Sequence, residues 1–140
     1  MLIKRAVASL ASEIKFAALE GYSYDSVGRV FELGEIGGVI KVLLHESNID
    51  YVVVPPSSLK KFATGVSSAS KEDMVDACMR HGVTCADDNQ ADAFFLARVA
   101  RAFSQDVVDR RCEMDVIHAL KNPTPKKTRR RVRRLVKAAL

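Results

Sequence analysis

Hydrophobic and polar positions follow a helical period over most of this chain, and two short stretches depart from that period. The first, Phe16–Glu20, is a largely apolar run that ends on a carboxylate and is followed by Gly21. The second, Tyr51–Val54, is a Val-rich run that two prolines close. Continuous apolar runs of this length are typical of parallel strands covered on both faces. We therefore expect two buried parallel strands.

The remaining apolar residues recur every three to four positions, as they do on the buried faces of amphipathic helices. The helices predicted from this spacing cover residues 2–14, 27–47, 57–63, 71–80, 87–103 and 106–120. Ser70 and Asp73 form a capping-box pattern at the start of the fourth of these helices. A strand, a long helix and a second strand in this order form a βαβ unit, which indicates an α/β fold.

The long helix predicted over residues 27–47 has a broad apolar surface, so we expect it to be buried on more than one side. Gly34, Gly37 and Gly38 interrupt it, and each weakens a helix interior by roughly 1 kcal/mol relative to Ala. Such glycines favour the close approach of another backbone, for example a partner helix. A break of the helix at Gly37–Gly38 is the alternative.

Charge is distributed unevenly along the 140 residues, which carry a net charge of +5. Nine of the 22 Lys and Arg residues lie in 121–140, a segment without Asp or Glu, so the preceding body is mildly acidic. A basic tail on an acidic body indicates a polyanionic partner, either nucleic acid or an anionic membrane surface.

No apolar run approaches the roughly 20 residues that a membrane-spanning helix needs, and Glu13 and Lys15 interrupt any signal-peptide core. We expect a cytoplasmic protein without stable membrane insertion. Cys78, His81 and Cys85 could form a three-ligand zinc site, but their spacing is irregular, and packing of Cys78 inside a helix is the favoured interpretation.

Two acids, Asp88 and Asp92, lie four residues apart at the start of a predicted helix and therefore share one face. Like-charged carboxylates at this spacing repel each other, so a compensating cation is expected. Mg²⁺ takes a few carboxylate oxygens together with waters and substrate phosphate. The alternatives are helix capping by Asp87 and Asp88 with Asp92 exposed, and a solvated Glu20 at its strand end.

Five stretches of the chain follow one another in an order and spacing found in one nuclease family; they are residues 18–22, 31–40, 54–65, 69–71 and 88–93. On these stretches the chain resembles the RuvC-type Holliday junction resolvases, especially their phage and viral relatives, within the RNase H-like nuclease superfamily. The resemblance covers residues 16 to about 103. It implies a homodimeric endonuclease that hydrolyses phosphodiesters in branched DNA during recombination, repair or genome processing.

The resemblance also implies that acids cluster around two Mg²⁺ ions, with Mn²⁺ as a substitute. Glu20 and Asp92 match family acids, whereas a third family acid falls on Asn89, so Asp88 is the expected replacement ligand. Basic positions near the substrate backbone match three lysines, Lys60, Lys61 and Lys71. A solvated helix face is the alternative for the first two of these lysines.

One family feature is missing from the N-terminal segment. The family begins with a β-hairpin whose first strand carries a metal-binding Asp, and residues 2–14 contain no Asp. We therefore expect an RNase H-like core truncated at its N-terminus, with a short parallel sheet flanked by helices. Three explanations are open. Met1 could be an internal Met of a longer reading frame, the protein could be a natural remnant that binds DNA without cutting it, or another polypeptide could supply the hairpin. A non-catalytic DNA-binding or assembly module is thus the alternative function.

The C-terminal segment lies outside the resemblance. We expect three parts: the RuvC-like domain (1–103), an additional helix (104–121) and a basic tail (122–140). The arginines expected to contact DNA in the tail are Arg129, Arg130, Arg131, Arg133 and Arg134. A basic amphipathic helix on a membrane and a nuclear-import signal are the alternatives to a DNA arm.

Overall fold

Two strands and five helices make up the described part of the chain in the computed structural model, which describes residues 13–22 and 30–123 together with Arg5 and Ser9. The strands are β1 (Phe16–Glu20) and β2 (Asp50–Val54). The helices are α1 (Val30–Glu46), α2 (Pro56–Thr64), α3 (Lys71–Arg80), α4 (Asp88–Gln105) and α5 (Arg111–Lys121). The helix predicted over 2–14, apart from Arg5 and Ser9, and the tail arginines lie outside the described residues.

β1 and β2 pair in parallel, which confirms the predicted βαβ unit, with Phe16 opposite Asp50 and Glu20 opposite Val54. The expectation that both strands are covered on both faces is wrong. Val54 is fully buried, but Tyr51 and Val53 are 38% and 39% exposed. Successive strand residues point to opposite faces, and α4 packs against only one face of this two-stranded sheet.

α1 runs without interruption from Val30 to Glu46, so the alternative of a break at its glycines is wrong. A Cβ at Gly37 would overlap the Tyr22 hydroxyl. The absence of a side chain at Gly37 therefore makes room for Tyr22 of the same chain. Burial on more than one side is also wrong for the described side chains, because Ile36, Val39 and Val42 are exposed. The helix makes its main contact among the described elements with β2.

The core lies between α2, α3, α4 and α5 and continues onto Val54 of the sheet. Its largest fully buried apolar side chains are Phe62, Phe95, Leu59, Met74, Val54 and Val99. None of the described helices combines the length and the apolar character that crossing a bilayer requires.

The helix predicted to begin at residue 106 begins at Arg111 instead. Asp106 has a left-handed backbone, with φ of 55°, which ends α4 and starts an irregular segment. Arg110 holds that segment in place, because its guanidinium donates to the carbonyls of Phe62 (2.6 Å) and Ala63 (3.0 Å) at the end of α2. Local periodicity carries no information about this contact, since its partners lie 47 and 48 residues away.

Glu113 is the buried charged residue that joins these elements, and 1% of it is exposed. It accepts hydrogen bonds from the Asp109 amide (2.9 Å) and from the Arg110 guanidinium (3.0 and 3.1 Å). Arg98 of α4 contributes a longer contact at 3.5 Å. Burial acts to raise the pKa of Glu113, but the Asp109 amide and Arg110 outweigh it and hold the pKa below its usual value.

Candidate active site

Packing of α4 against β1 brings Glu20 and Asp92 to the same end of the sheet. The ring of Phe103 stacks on Phe16 at the start of β1, with centroids 5.4 Å apart. From there the helix axis extends about 16 Å back to Asp92, while the strand extends about 13 Å forward to Glu20. The two acids therefore end nearly level. Beyond Glu20, the Gly21 amide donates to the Val54 carbonyl at 2.8 Å and keeps this end of the strand in place.

The two carboxylates influence each other electrostatically. Desolvation raises the pKa of Glu20, and the negative charge of Asp92 raises it further. Glu20 is nevertheless exposed at the end of its strand, as the alternative of a solvated Glu20 holds. Desolvation also raises the pKa of Asp92, followed by the charge of Asp88. The alternative of helix capping is confirmed for Asp87, which accepts from the Gln90 amide at 2.8 Å, but its exposed Asp92 is wrong, because Asp92 is partly buried. The positive charge of Lys60 lowers both pKa values.

The third predicted acid, Asp88, is engaged elsewhere. Its carboxylate forms an ion pair with Lys71, with Nζ and Oδ2 2.6 Å apart. This hydrogen bond is the main reason that the pKa of Asp88 lies below its usual value. Both residues border a shallow surface cavity of about 380 Å³ beside α3. Asn89, the position onto which the family acid falls, is exposed.

Sequence analysis missed the Lys71–Asp88 ion pair because its partners lie on different helices. A signal was nevertheless present in the sequence. Lys71 directly follows the N-cap Ser70 of α3, and Asp88 directly follows the N-cap Asp87 of α4, so both are first residues of their helices. Because α3 and α4 pack together, these two first turns can meet.

The predicted lysines divide into two groups. Lys60 and Lys71 both lower the pKa of Asp92, and Lys60 also lowers that of Glu20 at the end of β1. Lys61 points away from these acids and lies 3.6 Å from Asp115 of α5. The structure thus brings together Glu20, Asp92 and Lys60, with the ion pair of Asp88 and Lys71 beside them.

The donor set at this site fits a hard divalent cation. Among residues 13–22 and 30–123, no group of three or more His, Cys, Asp or Glu side chains is arranged to hold a metal ion. Two neighbouring carboxylates, Glu20 and Asp92, are nevertheless enough for Mg²⁺, which keeps several waters and takes substrate phosphate oxygens. Their pKa values are raised first by desolvation and then by a neighbouring carboxylate, and a bound cation would offset both effects.

Cys78 and Cys85 pack in the core, as favoured for Cys78 from the sequence. Desolvation and the neighbouring Cys85 thiol raise the pKa of Cys78 to about 12. The third residue of the zinc pattern, His81, packs its ring against Phe94 and Phe95, with centroids 5.9 and 5.7 Å apart. These contacts explain the three residues as parts of the core and its border.

No protein-family model and no curated protein sequence matches this chain. The solved structure of RuvC from Thermus thermophilus is similar to it, with 20% sequence identity and a TM-score of 0.58. The likeness covers 69% of this chain and 61% of that one, so the chain spans less than two thirds of the RuvC structure. At this identity the likeness shows the fold alone: the chain has a RuvC-like, RNase H-like α/β fold.

Proposed function

We propose that this chain is a RuvC-like, Mg²⁺-dependent endonuclease that hydrolyses phosphodiesters in branched DNA, with four-way junctions as the main substrate. The observation that carries the proposal is the approach of Glu20 and Asp92 at the carboxyl end of β1, where α4 packs on the strand and the charge of Lys60 acts on both acids. In open α/β sheets this end of the strands is where sites form. Two acids with raised pKa values beside a lysine match metal-assisted phosphoryl chemistry better than a structural ion pair.

Each side chain has a role in this proposal. Glu20 and Asp92 would hold Mg²⁺, or Mn²⁺ in its place, and Asp88 is the third candidate ligand. The bound ion would polarise the phosphate and lower the pKa of an attacking water. Lys60 lies where it can contact a non-bridging phosphate oxygen while it balances the charge of the acids. Lys71 would contact the DNA backbone at the edge of the site.

Cleavage of a synthetic four-way junction in Mg²⁺ tests the proposal. Glu20→Gln and Asp92→Asn should each lower the cleavage rate by about 10²-fold or more, as loss of a group that stabilises transition-state charge does. Asp50→Asn is the matched control, since Asp50 is exposed at the far end of β2 and should leave the rate unchanged. Equal rates in all four proteins would refute the assignment of the site.

A non-catalytic DNA-binding or assembly module is the second candidate. It is favoured by the observation that, among the described residues, the structure gathers two carboxylates rather than three. This candidate predicts junction binding without cleavage in either Mg²⁺ or Mn²⁺, and with no effect of Glu20→Gln on affinity. Cleavage that depends on Glu20 excludes it.

The tail is proposed as a DNA arm through Arg129, Arg130, Arg131, Arg133 and Arg134, which lie outside the described residues. Each contact with a DNA phosphate makes the affinity fall more steeply as the salt concentration rises. Deleting residues 122–140 should therefore weaken junction binding and flatten the plot of log affinity against log salt. An unchanged affinity and slope would reject the arm.

A further inference from the structure

Asp88 lies between two charged neighbours, one of which attracts its carboxylate while the other repels it. On one side is the Lys71 ammonium, 2.6 Å away. On the other is Asp92, four residues along the same helix, whose Cβ should lie about 5–6 Å from that of Asp88. Rotation of the Asp88 side chain away from Lys71 would turn its carboxylate toward Asp92, whose pKa the charge of Asp88 already raises.

The surroundings of Asp88 allow such a change. It is the first residue of α4, and its side chain is 26% exposed and borders the open cavity beside α3. The Lys71 side chain is 76% exposed, so solvent and ligands reach its ammonium. Without a cation, repulsion by Asp92 and attraction by Lys71 act in the same direction and hold Asp88 away from the pair.

We propose that Lys71 is a positioning residue that sequesters Asp88 until a DNA phosphate takes over the ammonium, which frees Asp88 to complete the carboxylate set for the metal ion. This inference rests on the proposed function, because it concerns the assembly of the same site. It makes DNA and divalent cation cooperative ligands: each should bind more tightly in the presence of the other, by the same factor.

Binding of Mn²⁺ to the full-length protein, measured by titration calorimetry without DNA, tests the positioning role independently of activity. Lys71→Met should bind Mn²⁺ roughly two- to fivefold more tightly, the range expected from release of an exposed ion pair. Because Lys71 is so exposed, the variant should fold normally, and its melting temperature checks this. An affinity equal to that of the wild type would refute the positioning role.

Removing a nearby positive charge could by itself strengthen cation binding, so a double-mutant cycle is needed. If Lys71 acts through Asp88, the gain should vanish when Lys71→Met is made in an Asp88→Asn background. If it acts only by charge, the gain should remain. Lys60→Met is the matched control, because the charge of Lys60 acts on Glu20 and Asp92 and its effect should be the same in both backgrounds.

The DNA half of the inference uses a non-cleavable four-way junction. The junction should increase the Mn²⁺ affinity of the wild type more than that of Lys71→Met, in which Asp88 is already free. An equal increase in both proteins would refute the exchange of partners. Glu20→Gln distinguishes failure of the proposed metal site from failure of the positioning role of Lys71. If Glu20→Gln does not weaken Mn²⁺ binding, the proposed site itself is wrong. If Glu20→Gln weakens binding and Lys71→Met changes nothing, only the positioning role is overturned.

Discussion

The negative charges of Glu20 and Asp92 are needed for the proposed metal site, but they lower the stability of the fold. Desolvation raises the pKa of each carboxyl, and the charge of Asp92 adds to the shift of Glu20 as that of Asp88 adds to the shift of Asp92, so the ionised forms oppose folding at neutral pH. Clusters of this kind persist where the charge is used, and strained electrostatics of ionisable groups concentrate at functional sites. The two residues are therefore expected to respond to substitution differently from ordinary surface acids.

Asp92→Asn should increase the free energy of unfolding at pH 7 without divalent cations, by about 0.5 kcal/mol, the size of a relieved like-charge pair. Urea unfolding in a chelator measures this change, with Asp50→Asn as the neutral control. Addition of Mg²⁺ should then stabilise the wild type but not the variant. A variant less stable than the wild type in chelator would contradict the electrostatic assignment.

The pH dependence follows from the direction of the shifts. An acid whose pKa is raised in the folded state binds its proton more readily there than in the unfolded chain. The wild type should therefore gain stability relative to Asp92→Asn as the pH falls through the raised pKa values of Glu20 and Asp92. The advantage of the variant should shrink toward pH 4, and a constant difference across this range would argue against the shifts.

The first turn of α3 is fixed by a reciprocal cap that also sets the position of Lys71. The Ser70 hydroxyl accepts from the Asp73 amide at 3.1 Å, and the Asp73 carboxylate accepts from the Ser70 amide at 2.9 Å. Ser70→Ala should lower the free energy of unfolding by about 1 kcal/mol, since it removes an N-cap acceptor. Thermal unfolding measures the change. Ser68→Ala, in the exposed loop before it, should stay within about 0.5 kcal/mol of the wild type.

At the scale of elements, features that depend on neighbouring residues, such as helix caps and strand bounds, could be predicted from the sequence. The cap of α3 could be predicted from Ser70 and Asp73, and the end of α3 from Gly82, which has a φ of 72°. Both strands were predicted within one residue of their bounds because apolar runs between breakers specify them. The carboxylate at the end of β1 followed from the same pattern.

Features that depend on distant partners could not be predicted in this way. The predicted start of α5 was wrong because Arg110 donates hydrogen bonds to carbonyls at the end of α2, which hold the preceding segment in an irregular conformation. Exposure of Val42 could not be foreseen, because periodicity shows that a helix face is apolar and leaves open what covers it. The orientation of Asp88 depends on Lys71, seventeen positions earlier on another helix.

At the scale of the whole molecule, Glu113 of α5 links two further helices: it pairs with Arg98 of α4 and with Arg110, which donates to carbonyls at the end of α2. Glu113→Gln should lower the free energy of unfolding at pH 7 by roughly 2–3 kcal/mol, because it leaves the partly buried Arg110 guanidinium without its counter-ion and removes one of the two acids that pair with Arg98. Urea unfolding measures it, with Glu35→Gln on exposed α1 as the control.

Glu113 predicts a pH dependence opposite to that of Asp92. Because its pKa is lowered on folding, its stabilisation is present above the ordinary Glu pKa of 4.5 and is lost as the pH falls through the lowered value. The difference between the wild type and Glu113→Gln should therefore shrink in acid. A difference that grows as the pH falls would contradict the assignment.

The exposed face of α1 is the surface on which we expect two copies of the chain to associate. Ile36, Val39 and Val42 are 46%, 38% and 57% exposed on this helix. Val42→Asp should weaken a homodimer at least about tenfold, as substitution of a central apolar contact does. Sedimentation velocity over a concentration series measures this, with Val66→Asp in the loop after α2 as the control. A wild type that stays monomeric at high concentration would refute the prediction.

The bond from Arg110 to the end of α2 has a consequence for the order of events during synthesis. The carbonyls of Phe62 and Ala63 gain this partner only after nearly fifty further residues have been added. Until α5 has left the ribosome, a nascent chain exposes the apolar surface that Val116 and Ile117 will cover. The core is therefore completed late in synthesis. Until then, the incompletely folded chain is the form that chaperones and proteases would encounter.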